Sequence, residues 1–132
     1  MANPNIVNVT SIYGNTAYVL PSTTAVSSSW THNGTTALTG LTPASGSVNK
    51  IDSIVATNTT GTAAAASIAV YSAAALGGTA YYVAYAISVP ANASLIITDK
   101  TTSFYVTENQ SVGATTGTGS ALTFVASFEV IT

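Results

Sequence analysis

The chain has 132 residues, no cysteine, and two basic residues against four acidic ones, for a formal net charge of −2. Without cysteine it can hold no disulfide scaffold, Cys-based zinc site, redox pair or thiol nucleophile, and without a basic excess it offers no footprint for a phosphate backbone or anionic lipid. Nucleic acid and membrane are therefore poor partners.

Soluble domains usually carry charge on about a quarter of their residues, so here Ser, Thr, Asn and Gly must wet the surface. Such a skin is cheap to desolvate. A hydroxyl or amide exchanges its water for a new hydrogen bond, whereas an unpaired buried charge costs several kcal/mol. The composition points to a surface covered by neighbours. The length fits one domain, residues 1–132. The opening Met1-Ala2-Asn3-Pro4-Asn5 has neither the basic nor the apolar region of a secretory signal, and no apolar stretch reaches the roughly 20 residues of a spanning helix, so a soluble chain is expected.

Short runs rich in Val, Ile, Thr, Tyr and Phe, punctuated by Gly, Pro, Asn and Ser, predict strands joined by tight loops. The first are Ile6 to Val9 and Ala17 to Leu20. Ser22 to Val48 then holds Trp30, His32, the Asn33-Gly34 turn signal and Pro43 among small polar residues, which predicts a projecting loop or irregular hairpin. It reads either as a tolerated surface insertion or as a partner contact carried by Trp30.

Lys50 to Thr57 is the next strand, with Lys50 and Asp52 two apart on it. The Asn58 to Thr62 turn leads to Ala66 to Tyr71, and Leu76-Gly77-Gly78 to the aromatic run Tyr81 to Val89. Alanine runs at Ala63 to Ala66 and Ala73 to Ala75 are too short to nucleate helices and read as strand ends or loop flanks. In the aromatic run, Tyr81, Val83, Tyr85, Ile87 and Val89 would share one face. That face is either sandwich core or an intersubunit or sugar-stacking surface.

Pro90 to Ala93 turns into Ser94 to Asp99, Asp99-Lys100 reads as a turn, and Phe104 to Thr107 is a further strand. Gly113 to Ser120 lacks the Gly-Lys ending and strand-to-helix context of a phosphate loop and reads as a hairpin. Alternation is clearest at the end: Leu122, Phe124, Ala126, Phe128 and Val130 face the core while Thr123, Ser127 and Glu129 face water. The sum is an all-β domain, an antiparallel β-sandwich or jelly-roll-like barrel of about eight short strands in a meander of hairpins, with no long helix.

Chemistry is sparse. His32 is the only histidine and the carboxylates sit on separate segments, so no catalytic set, metal site or cofactor site is expected, and the chain is not read as an enzyme. N-x-S/T triplets at Asn8, Asn33, Asn58, Asn92 and Asn109 are explained by composition.

The stretches Asn5-Ile6-Val7-Asn8-Val9-Thr10-Ser11-Ile12-Tyr13-Gly14, Lys50 to Asn58, Ala84 to Leu95, Phe104 to Val112 and Ser127 to Ile131 resemble small virion structural proteins of tailed bacteriophages, particularly those of cyanobacteria and other marine bacteria. The resemblance implies a particle component, assembled in the host cytoplasm and located in the virion. One placement is a capsid decoration or cement protein over capsomer junctions, bound to the major capsid protein or other virion proteins, as a homo-oligomer with a trimer favoured. The alternatives are a neck, tail or fibre-associated module, or a glycan-binding β-sandwich using Trp30 and tyrosines. Candidate partner contacts are Ile6, Val7, Tyr13, Tyr18, Trp30, His32, Tyr81 and Tyr82. Open edges are expected at Asn5 to Thr10 and Ala121 to Ile131, where another chain could add a strand.

Overall fold

The C-terminal alternation sets the architecture. Leu122, Phe124, Ala126 and Phe128 are buried and Thr123, Val125 and Ser127 face outward, so this strand lays one apolar stripe across a core. In the computed structural model, which describes residues 8–34 and 36–132, the described residues form ten strands: β1 (Ile12–Val19), β2 (Ser29–His32), β3 (Thr36–Thr39), β4 (Val48–Asn58), β5 (Ala64–Tyr71), β6 (Ala80–Val89), β7 (Ser94–Thr98), β8 (Phe104–Val106), β9 (Ser111–Thr116) and β10 (Leu122–Ile131). The only helical pieces among them are single turns at Ala74–Leu76 and Lys100–Thr102. The fold is all-β, two curled antiparallel sheets making a sandwich or half-barrel.

The larger sheet runs β3-β2-β1-β10-β4-β7, with β8 also paired to β4, and the smaller runs β6-β5-β9. All pairings are antiparallel. Inward rows such as Ala17, Ala126 and Ile54 stand in register across the large sheet. They meet Ala64, Ala66 and Ile68 of β5 and Val112 and Ala114 of β9 from the small one. Alanine keeps the layers close, and Phe124, Phe128, Trp30 and the isoleucines fill the remaining volume.

Several expectations change. The chain is not a meander, because β10 lies between β1 and β4, far from both in sequence. Among the turn signals, Asn33-Gly34 and Leu76-Gly77-Gly78 each close a hairpin within one sheet; the Asn58, Pro90 and Gly113 to Ser120 segments carry the chain from one sheet to the other. Glycine and proline mark a reversal, and a reversal serves a corner as well as a hairpin. The predicted glycine-rich hairpin Gly113 to Ser120 is partly strand β9. The Ala73 to Ala75 flank becomes a tight turn with Ala75 and Leu76 at φ of 53° and 61°. Buried Ser111 on β9 holds that turn, with its hydroxyl accepting from Leu76 N and donating to Ala73 O.

Of the two expectations for the stretch 22–48, the hairpin holds and the projecting loop does not. Its β2–β3 hairpin, with Asn33 and Gly34 both at positive φ, extends the large sheet beyond β1. Ser27 exchanges two backbone hydrogen bonds with Ala114, and Val112 N donates to Gly40 O, so this segment also closes the outer side of β9. Ile6 and Val7 lie outside the described residues; Asn8 and Val9 are not in a strand.

Candidate functional site

An outward face in an antiparallel sheet is built by cross-strand neighbours, and here the register aligns them. Tyr18 of β1 stands opposite Val125 of β10, Val125 opposite Val55 of β4, and Val55 opposite Ile96 of β7. The row is four strands wide. Tyr18 is 41% exposed, Val125 39% and Ile96 66%. Rows of hydroxyls flank it: Thr123, Thr57 and Ser94 on one side, Thr16, Ser127 and Ser53 on the other. Thr57 and Ser94 hydroxyls lie 2.9 Å apart.

Charge begins one row farther on, where Glu129 and Lys50 are direct cross-strand partners. Lys50 Nζ lies 3.3 Å from Asp52 Oδ1 and 3.7 Å from Glu129 Oε2. The hydrogen bond and charge of Asp52 raise the Lys50 pKa above its ordinary value. Asp52 sits where β4 carries an extra residue, opposite the step from Ser127 to Phe128, and this bulge leaves it nearly buried beside the lysine. Glu108 is tied down by Gly46 N, and Asp99 caps the Lys100–Thr102 turn. Nothing in this cluster intrudes on the apolar row.

A second surface lines the free edge of the small sheet. Tyr81, Tyr82, Val83, Tyr85 and Ile87 of β6 are all exposed, Tyr85 to 68%. The one-face expectation for this run fails: two register breaks against β5 and a φ of 49° at Ala86 disrupt the alternation, so only Ala84 and Val89 are buried. Ser67 Oγ accepts from Ala86 N where the ladder is interrupted. Tyr82 and Tyr85 meet edge to face at 4.7 Å.

The predicted contacts therefore divide. Tyr18 belongs to the outer row, Tyr81 and Tyr82 to the β6 edge, and Tyr13 is 62% exposed near the start of β1. Trp30 is a correction: it is fully buried, with Nε1 donating to Val112 O at 3.0 Å. A buried indole needs an acceptor for its N–H, and β9 supplies it. His32 is half-buried, 2.7 Å from Asn15 Oδ1 and tilted over Phe128, beside a hollow of about 190 Å³. Neither serine nor carboxylate lines that hollow, and Thr42 donates its hydroxyl to Gln110 O. Asn49 also lines it, but its unpartnered Oδ1 is sealed beneath the surface.

The expected open edge at the C-terminus is likewise corrected. Both sides of β10 are paired, one with β1 and the other with β4. Sequence reasoning missed Val125 and Ile96; the signal was an apolar residue on the otherwise wet phase of each strand. Among the described residues, no group of three or more His, Asp or Glu is placed to hold a metal ion, and no helix is long and apolar enough to cross a membrane. No protein-family model, curated protein or solved structure matches this chain.

Proposed function

We propose that this chain is a non-enzymatic virion structural protein, a capsid decoration protein whose large-sheet outer face lies against the major capsid protein near capsomer junctions. The observation that carries this reading is the uncharged outward row Tyr18–Val125–Val55–Ile96 with its hydroxyl borders. An uncharged face of this kind forms many modest contacts, and repetition by capsid symmetry multiplies them into high avidity. The sequence resemblance to small phage virion proteins supports a particle component. A glycan-binding reading loses its main platform, because the Trp30 ring is enclosed in the core.

The test is add-back. Purified protein, mixed with capsids lacking it, is expected to bind at saturating, symmetric stoichiometry and to raise their resistance to heat. Ile96→Lys, at an exposed position, should lose binding while keeping the fold. Capsids that take up no protein, with label found at the tail in micrographs, would move the chain to a neck, tail or fibre position.

A further inference from the structure

We propose that two copies of this chain pair through the exposed β6 edge, tyrosine surface against tyrosine surface, about a two-fold axis. The strip is the most apolar exposed segment of the fold and no strand among the described residues covers its outer side. Its occupant follows from charge. No Asp, Glu, Lys, Arg or His occurs between Ser53 and Thr98, a span that holds β5, β6 and β7. In a two-fold contact each surface meets its own image, so charges near the axis oppose their equals. An uncharged strip escapes that repulsion, whereas a charged partner would find nothing here to complement.

Size agrees. With about 200 Å² for a tyrosine, Tyr81, Tyr82, Val83, Tyr85 and Ile87 together expose about 500 Å². Full burial of these side chains in two copies would cover about 1,000 Å², the area that a specific interface must clear. The contact is made by rings and not by strand addition, since the two register breaks and the left-handed Ala86 twist the edge away from a continuous ladder. Tyr82 and Tyr85 already support each other edge to face, so little rotamer freedom is lost on docking. The large-sheet outer face stays free, and the pairing does not depend on the virion reading. A symmetric trimer would need two different surfaces on each copy; this strip is one surface meeting itself.

The chain's lack of cysteine makes the experiment clean. Sedimentation equilibrium of the full chain is expected to show a mass rising with concentration to two copies. Single-cysteine variants Tyr81→Cys, Val83→Cys, Tyr85→Cys and Ile87→Cys, oxidised in the folded state, should give a disulfide-linked dimer with yield peaking at the position nearest the axis. Val125→Cys should give none. Tyr85→Lys should weaken pairing by about tenfold or more with an unchanged β-sheet circular dichroism spectrum. A constant monomer mass, a trimer mass, or cross-linking confined to Val125→Cys would overturn the proposal.

Discussion

Trp30 Nε1 donates to the carbonyl oxygen of Val112 at 3.0 Å, joining the edge hairpin of the large sheet to β9 of the small one. Both residues are fully buried. Trp30→Phe keeps an aromatic ring but leaves that carbonyl without its donor and opens space beside it. A loss of about 2–4 kcal/mol is expected in urea unfolding, and about 3–5 kcal/mol for Trp30→Ala. A loss below about 0.5 kcal/mol for the phenylalanine variant would show that the bond contributes nothing to joining the sheets.

Asn58 organises the corner from β4 to β5. Its Nδ2 donates to Thr62 O and Val89 O, and its Oδ1 accepts from Thr60 N and Thr60 Oγ1, all with the residue 1% exposed. This also rules it out as a glycan acceptor in the folded chain. Asn58→Asp keeps the shape but turns two donors into an oxygen facing two carbonyls. We expect a loss of about 3 kcal/mol or more at neutral pH, partly recovered as the pH is lowered and the carboxyl protonates. Denaturation midpoints at pH 4 and pH 7 measure the difference.

Gly119 and Gly61 separate close approach from simple flexibility. A Cβ at Gly119 would sit 2.5 Å from the carbonyl oxygen of Ser22, a backbone atom that cannot swing aside, whereas at Gly61 nothing lies within 4 Å. Gly119→Ala should cost about 1–3 kcal/mol. Gly61→Ala should be neutral or stabilise by up to about 1 kcal/mol, by restricting the unfolded chain. Thermal melts of the two variants side by side make the comparison.

Val125 lies at the centre of the outward row, so Val125→Lys tests recognition apart from folding. Its stability should stay within about 0.5 kcal/mol of the parent, as for a surface substitution, while attachment to capsids falls by about tenfold or more. Thermal melts and pelleting with capsids give the two readouts. Attachment unchanged by this lysine would exclude the row from the contact.

The Asp99 carboxylate accepts hydrogen bonds from Thr101 Oγ1 at 2.6 Å and Thr101 N at 2.9 Å, and these hold its pKa below the ordinary 3.8. With the folded pKa lowered, its contribution is present above pH 3.8 and is lost as pH falls through the folded value. Lys50 has the opposite sign. Its pKa is raised chiefly by the hydrogen bond to Asp52, so its contribution is present below pH 10.5 and is lost as pH climbs through the raised value. Carbon-detected titration should find the Asp99 transition moved upward by Thr101→Val, and the Lys50 transition moved downward by Asp52→Asn.

Sequence alone determined the fold class, the wet and dry phases of β10 and the shortage of charge, because alternation, turn chemistry and composition are local properties of the chain. It also placed Lys50 beside Asp52, two residues apart on one strand. It could not tell that β10 is central, since a strand alternates the same way at an edge or in the middle. Only pairing with β1 and β4, each far away in sequence, decides that. Nor could it sort the aromatic residues. Trp30 turned inward where β9 offered an acceptor, while the β6 tyrosines stayed out because bulges broke their alternation and no further strand among the described residues covers them. Tertiary structure thus converted a general lack of charge into two located surfaces, the outer row of the large sheet and the free edge of the small one.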